Sequence, residues 1–210
     1  MTLAIIGAGH VGQALAKALV ARRHGVRFGV PDPARYAELP SRYPGGVTVG
    51  TVNEALEGAD LAILATPYAA ALQVARDVAD WGNRILVDAT NPIAPGLSGL
   101  LVGTTTSGAQ EIARLARRAR VVKAFNTTGF DNMASPDYPG GSLFMPVAGD
   151  DVEARREVIA LATQIGFDAV DLGDLSAARH LEPWAMVWIE MAMRLGHGRD
   201  FGFIRQQRGR

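Results

Sequence analysis

The chain of 210 residues contains no cysteine, so disulfide bonds, thiolate catalysis and thiolate metal sites are excluded. It also lacks an excess of charge, because 21 basic side chains balance 21 acidic ones. A nucleic acid or an anionic membrane would require a basic surface. We therefore expect a small-molecule partner, with no nucleic acid and no membrane.

Long hydrophobic runs are missing as well. No apolar stretch approaches the roughly 20 residues that cross a bilayer. The first ten residues, MTLAIIGAGH, have no basic flank before their short apolar run, which a signal peptide would need. These absences favour a cytoplasmic protein.

What the chain does have is a regular alternation of short apolar runs with amphipathic segments. Strands are predicted at residues 2–7, 26–30, 47–50, 61–66, 84–90, 120–126, 143–149 and 167–173, and helices at 11–23, 68–80 and 151–165. A further helix should begin at the Ser/Thr cluster of residues 104–107, with Ser107 or Thr106 as its cap. The alternation predicts an α/β fold with a doubly wound, mostly parallel sheet.

The end of the chain has a different pattern. Apolar residues recur at helical spacing from Ser176 to Leu195, and the last residues are basic and glycine-rich. This predicts a helix that packs on the sheet, with Trp184 and Trp188 as an alternative dimer contact. The basic tail is predicted to be a frayed terminus. We divide the chain into a dinucleotide-binding domain at 1–175 and a C-terminal helix and tail at 176–210.

The glycines of "GAGHVG" follow a predicted strand directly and open a predicted helix. This is the context of a dinucleotide-binding turn. Gly7 would permit the tight turn, Gly9 the approach of a pyrophosphate, and Gly12 the close packing of helix on strand. The backbone amides of His10 and Val11 are expected to hold the phosphates at the helix N-terminus.

The segment after the second strand should contact the adenosine ribose. Asp32 lies twenty residues after Gly12, where an acidic side chain commonly binds the ribose hydroxyls of NAD. Arg35 is close enough to bind a 2′-phosphate instead, so the choice between NADP and NAD stays open. Asp32 between two prolines is equally typical of a helix cap.

Two later strand ends carry polar residues. Thr66 and Pro67 follow one strand, and Asn91 follows the next. Because ligands of open α/β sheets lie beyond the carboxyl ends of the strands, these residues are expected along the cofactor. Their alternative role is to start loops, since the residue before a proline avoids the helical conformation.

A catalytic residue cannot be assigned from the sequence. The four histidines are scattered, no pair has the spacing of a metal-binding helix, and no base is placed beside Ser107. Hydride transfer needs two rings held face to face in a dry pocket, and it does not require a catalytic dyad. The sequence is therefore compatible with an oxidoreductase without a metal.

The segments "VVKAFNTTGFDNM", "VAGDD" and "DLGDLSAARHLEPWAMVWI", in this order behind "GAGHVG", resemble the NADP oxidoreductases that depend on the deazaflavin coenzyme F420. That family is related to the cytosolic domains of the STEAP metalloreductases. The resemblance implies a Rossmann domain with a small C-terminal extension, a homodimer, and hydride transfer between NADP(H) and F420. It implies that Thr66 and Pro67 lie along the cofactor, that Asn126 and Thr127 line the pocket of the second ring, and that the segment around Gly198 closes it.

Two positions depart from that family. Its members often have serine and arginine after the second strand, where this chain has Val30, Pro31 and Asp32. Asn126 stands where archaeal relatives have a histidine. NAD use, reduction of a flavin or another small molecule, and a non-catalytic dinucleotide sensor are therefore the alternatives.

Overall fold

The apolar runs form the strands of one central sheet. A computed structural model describes residues 1–208 of the chain. The strands within this range are β1 (Thr2–Ile6), β2 (Gly25–Gly29), β3 (Val47–Gly50), β4 (Leu61–Leu64), β5 (Ile85–Asp88), β6 (Arg120–Lys123), β7 (Asp137–Tyr138), β8 (Gly141–Ser142), β9 (Phe144–Gly149) and β10 (Asp168–Asp171).

Helices connect most of these strands. They are α1 (His10–Ala21), α2 (Val52–Leu56), α3 (Tyr68–Asp77), α4 (Gly108–Leu115), α5 (Val152–Ile165) and α6 (Ala178–Ile189). One π-helical turn, Glu190–Arg194, continues α6. Two short 3₁₀ helices, Pro33–Tyr36 and Leu39–Arg42, lie between β2 and β3. No helix within residues 1–208 is long and apolar enough to cross a membrane.

The sheet has the strand order β10-β9-β6-β5-β4-β1-β2-β3. Strands β1 to β6 are parallel and have the order of a Rossmann fold. The order of the strands in the sheet reverses between β1 and β4. The expected α/β fold class is therefore confirmed. Strand β9 pairs antiparallel to β6, and β10 runs parallel to β9, so the last two strands run against the others.

The sheet is buried on both faces, which explains its continuous apolar strands. In β1, Leu3 and Ile5 belong to one side of the core, and Ala4 and Ile6 belong to the other. This follows from the alternation of side chains along a strand. The first core layer packs against α1 and α5, and the second packs against α3 and α4.

Side-chain caps begin two of the predicted helices. The Ser107 hydroxyl accepts a hydrogen bond from the Gln110 amide, so Ser107 and not Thr106 caps α4. Asp151 Oδ1 accepts from the Ala154 amide at 2.7 Å and caps α5. Each side chain thereby satisfies one of the free N–H groups at the start of its helix.

The C-terminal tail packs against the domain as far as Arg205, which corrects the expectation of a frayed terminus for this part of it. The Phe203 carbonyl accepts a hydrogen bond from the Phe144 amide, and the Arg205 guanidinium binds both carboxylate oxygens of Asp168 at 2.9 Å. Phe201 stacks on Trp188 at 5.3 Å. Aromatic packing thus outweighs the basic, glycine-rich composition that indicated disorder.

The same packing corrects the alternative in which Trp184 and Trp188 together form an exposed dimer contact. Trp188 is only 5% exposed and donates its indole N–H to the Phe201 carbonyl. Trp184 lies between Phe144 and Phe203 and keeps 38% of its surface exposed. Trp188 is therefore a core residue. The boundary at 175 stays a prediction, and residues 209 and 210 of the second segment lie outside the described residues.

Candidate functional site

The turn after β1 is built from three glycines, two of which are required by its geometry. Gly7 has φ +109°, and a Cβ there would lie 2.5 Å from the Ala65 carbonyl oxygen at the end of β4. A Cβ on Gly12 would lie 2.1 Å from the Gly7 carbonyl oxygen. Only glycine permits this left-handed turn and this close packing of α1 on β1.

Gly9 differs from its neighbours because the space beside it is open. Apart from Gly9 and its chain neighbours Ala8 and His10, no atom within residues 1–208 lies within 4 Å of a Cβ built on Gly9. Gly9 caps α1 without a side-chain hydrogen bond, so the amides of His10, Val11 and Gly12 begin the helix with their N–H groups free of a capping side chain. A diphosphate fits this cradle, since a helix N-terminus attracts anions.

Asp32 and Arg35 follow β2 and have different surroundings. Asp32 Oδ1 accepts a hydrogen bond from the Ala34 amide at 3.2 Å, so the capping role holds in the structure. Arg35 lines a cavity of about 460 Å³ together with Gln13, Glu38 and Arg42. We call this space the β2-end cavity.

Thr66 and Pro67 lie beside the glycine turn. The Thr66 methyl group would be 2.8 Å from a Cβ on Gly7. Pro67 caps α3, and its carbonyl oxygen accepts a hydrogen bond from the Ala71 amide. The carboxyl end of β4 therefore faces the turn after β1, at the crevice where ligands of this topology bind.

Asn91 and Asn126 are joined by two hydrogen bonds. Asn91 Nδ2 donates to the Asn126 carbonyl at 3.0 Å, and Asn126 Nδ2 donates to Asn91 Oδ1 at 2.9 Å. Asn126 Nδ2 also donates to the Leu181 carbonyl of α6. The Asn126 Oδ1 is buried and has no hydrogen-bond partner within residues 1–208, which is uncommon for a buried acceptor.

A second cavity of about 250 Å³ adjoins this asparagine pair, and we call it the α6 cavity. Its walls come from α1, from the loops after β5 and β6, and from α6. Four of the sequence-predicted site residues meet there, namely Val11, Asn91, Asn126 and Thr127. Phe130, Trp188 and Met193 add apolar walls and Arg199 adds a charged one, and the sequence did not identify these four as site residues.

Gly198 lies outside the walls of this cavity, but its neighbour Arg199 is part of them. The Arg199 guanidinium lies 4.2 Å from the Phe130 ring centroid and forms an ion pair with Asp131. The Phe130 ring also stacks on His10, with ring centroids 4.5 Å apart. Through these two contacts, Phe130 joins the glycine turn to the C-terminal tail beside the α6 cavity.

Behind the site lies a charged cluster that sequence reasoning missed. Lys123 is fully buried, and its Nζ lies 2.8 Å from Asp88 Oδ2, 3.0 Å from Glu182 Oε1 and 2.6 Å from the Thr90 carbonyl. Burial lowers the pKa of Lys123, but the charges of Asp88 and Glu182 outweigh this and raise it above its usual value.

The cluster fixes the start of the loop after β5, which carries Asn91, and connects α6 to the start of α4. Asp88 Oδ1 accepts from the Thr90 amide and hydroxyl, and Glu182 accepts the first two amides of α4, from Gly108 and Ala109. One signal was present in the sequence, because Asp88 and Lys123 occupy matching positions of two neighbouring apolar strands. Within residues 1–208, no group of three or more histidine, aspartate or glutamate side chains is placed to hold a metal ion.

The family model described as "NADP oxidoreductase coenzyme F420-dependent" matches residues 2–92. A proposed F420-dependent NADP-reductase from Arthrobacter sp. FB24 is 31% identical, with a TM-score of 0.86 over 99% of this chain and 100% of that one. A hypothetical protein from Sinorhizobium meliloti is 35% identical, with a TM-score of 0.76 over 85% of this chain and 88% of that one.

Metalloreductase STEAP3 from Rattus norvegicus is 29% identical over 181 residues, which are 85% of this chain. The match covers 35% of STEAP3, so the chain spans about a third of the length of this curated relative. The similarity to the Arthrobacter protein extends over nearly all of both chains, and the matching family model covers the glycine turn and the first five strands. The chain therefore belongs to the coenzyme F420-dependent NADP oxidoreductases, a family of NAD(P)-dependent oxidoreductases.

Proposed function

We propose that the protein transfers a hydride between NADP(H), bound along the glycine turn, and coenzyme F420, whose deazaflavin ring enters the α6 cavity. One observation carries this proposal. Val11, whose amide belongs to the free start of α1, also lines the α6 cavity together with Asn91 and Asn126. A dinucleotide on the turn and a ring in the cavity would therefore be neighbours, as hydride transfer requires.

The residues of the turn would hold the dinucleotide. The open space at Gly9 admits a pyrophosphate, and the amides of His10 and Val11 would bind its oxygens. Thr66, Pro67 and Asn91 would lie along the rest of the cofactor. When bound, the nicotinamide supplies the carbon that donates or accepts the hydride.

The α6 cavity would orient the second substrate and exclude water. Its volume of about 250 Å³ suits part of a planar ring system and not a whole coenzyme. Asn126 and Thr127 would contact the ring edge, and Phe130 with Trp188 would supply the apolar wall. The segment at Gly198 would close the cavity through its neighbour Arg199. No side chain of the chain is assigned as a catalytic acid or base.

The test is an anaerobic assay of the purified protein with F420, comparing NADPH with NADH and using free flavin as a parallel acceptor. We expect saturable F420 reduction that is faster with NADPH. Trp188→Leu should raise the KM for F420 and leave the dissociation constant of NADPH within about twofold, because Trp188 lines the α6 cavity and is not part of the glycine turn. Dinucleotide binding without F420 turnover would refute the proposed second substrate.

Reduction of a different acceptor is the second candidate. The similarity to a protein called a metalloreductase favours including ferric and cupric chelates in the same assay. Turnover with flavin or with a metal chelate but not with F420 would favour this candidate. Binding without any turnover would favour a dinucleotide sensor.

We also propose that the chain forms a homodimer through the outer face of α6 and the turn that follows it. Val187 is 52% exposed and lies on α6 with Trp184, and Leu195, which directly follows the π-helical turn, is 63% exposed. Exposed apolar residues so close together are typical of an interaction surface. A cytoplasmic location stays a prediction from the sequence.

A further inference from the structure

The β2-end cavity and a groove along α1 meet at two shared residues. The groove has a volume of about 680 Å³ and runs past His10 and Lys17. Gln13 and Arg42 line both spaces. Arg42 therefore stands between them, seven residues after Arg35 and at the end of the second 3₁₀ helix.

Gln13 connects the β2-end cavity to the glycine turn. Its Nε2 donates a hydrogen bond to the Ala8 carbonyl at 2.8 Å, so its side chain folds back onto the turn. The opposite wall is the chain that follows β2, from Ala34 to Leu39. In a Rossmann fold the adenosine ribose lies between these two elements. The cavity is thus placed at the adenosine end of the dinucleotide.

Tyr43 fixes the backbone beside Arg42. Its hydroxyl donates to the Gln13 carbonyl at 3.2 Å, and its ring packs against Phe28 of β2 with centroids 6.2 Å apart. Burial raises the pKa of Tyr43, and the positive charge of Arg42 acts against that rise. Arg42 is exposed, and its place beside Gln13 follows from the two spaces that both residues line.

Arg35 and Arg42 line the β2-end cavity, and Lys17 lines the adjoining groove. Within the part of the chain that the structure describes, these three side chains form none of the ion pairs. The acidic side chain in the cavity wall is Glu38. Two unpaired guanidinium groups on one cavity suit a doubly charged phosphate, which arginine binds through paired N–H groups.

We propose that Arg42 acts with Arg35 to bind the 2′-phosphate of NADP, and that Arg42 is a specificity-determining residue for NADP over NAD. The inference rests on the proposed function, because it requires that a dinucleotide occupies the glycine turn. It would also explain how a chain with Asp32 after β2 can bind NADP. Asp32 caps the first 3₁₀ helix, and the phosphate is bound by residues further along.

The test measures binding and not turnover, by titration calorimetry with adenosine 2′,5′-bisphosphate and with adenosine 5′-phosphate. Both probes have the 5′-phosphate, and only the first has the 2′-phosphate. We expect Arg42→Ala to weaken the bisphosphate by roughly 10- to 100-fold, the range of a charged hydrogen-bonded contact, and to leave the monophosphate within about twofold. Arg42→Lys should retain part of the preference.

Arg114→Ala is the matched control, because Arg114 is an exposed arginine on α4 that lines neither space. It should bind both probes as the unmodified protein does. Loss of the preference in Arg35→Ala but not in Arg42→Ala would overturn the role of Arg42. Equal affinity of the unmodified protein for both probes would overturn the inference about Arg42 and leave the proposed dinucleotide binding intact. Failure to bind either probe or NADP would refute the proposed function itself.

Discussion

Replacing Lys123 with methionine should be among the most damaging single changes in this protein. The substitution keeps the length of the side chain but removes an ammonium group that contacts three oxygen atoms within 3.0 Å. Asp88 and Glu182 remain, both fully buried, with their negative charges no longer compensated. Breaking a buried charge cluster in this way costs about 3–5 kcal/mol of unfolding free energy.

For a chain of this size, such a loss corresponds to a fall in Tm of roughly 6–20 °C. Thermal and urea unfolding followed by circular dichroism would measure it. Arg118→Met is the matched control, because the ion pair between Arg118 and Asp80 is largely exposed. That variant should lose no more than about 1 kcal/mol.

The dependence on pH separates lost charge from lost packing. In the unmodified protein, the raised pKa of Lys123 means that its stabilisation is complete below the ordinary lysine value and is lost only as the pH rises through the folded value. It is therefore constant between pH 5 and pH 8. In Lys123→Met, a buried carboxylate can accept a proton as the pH falls, so the loss should be smaller at pH 5 than at pH 8.

A second substitution tests the same reasoning. Adding Asp88→Asn to Lys123→Met removes one of the two uncompensated charges, so the double variant should be more stable than Lys123→Met alone. A loss below about 1 kcal/mol in Lys123→Met, or the same loss at both pH values, would refute the argument from buried charge.

Three other outcomes follow from the site and the surface. Gly9→Ser should keep its Tm and weaken dinucleotide binding. Gly12→Ala should lose about 1–3 kcal/mol or more of unfolding free energy, because its Cβ would lie 2.1 Å from a backbone carbonyl oxygen. Thermal unfolding and NADP titration would compare the two variants. Asp32→Ser keeps a capping hydroxyl and removes a negative charge, so the affinity for NADP relative to NAD should rise; an unchanged ratio would place Asp32 outside the ribose site. Exchanging Val187 and Leu195 together for glutamine should yield a monomer by light scattering if the α6 face is the dimer contact; a surviving dimer would contradict that surface.

The central sheet could be predicted because its strands are short apolar runs buried on both faces. The direction of β9 could not, since a buried strand has the same apolar pattern whether it pairs parallel or antiparallel. Helix α2 and the hairpin of β7 and β8 are too short to show a periodicity. Helix caps were better specified, because a Ser/Thr hydroxyl directly before a helix can accept a hydrogen bond from a free backbone N–H group of its first turn.

Residues of the site were predictable where they follow a strand. Asn91 and Asn126 lie after β5 and β6, and the parallel sheet brings their loops together. Arg42 and Arg199 come from segments without regular pattern, and only the folded chain shows which cavity they reach. In the tail, the aromatic residues Phe201 and Phe203 decided the packing, although composition alone indicated disorder.

Two adjacent residues of α6 attach this C-terminal helix to the dinucleotide-binding part of the molecule. The Leu181 carbonyl accepts a hydrogen bond from Asn126 Nδ2, and the next residue, Glu182, binds Lys123 and the start of α4. A displacement of α6 would therefore break the ion cluster and release the Asn126 amide together. Because Asn126 also lines the α6 cavity, the shape of that cavity depends on a buried charge cluster whose three side chains are not among the residues that line it. Substitutions at Lys123 should consequently weaken binding in the α6 cavity as well as stability, even though its side chain is fully buried behind the site.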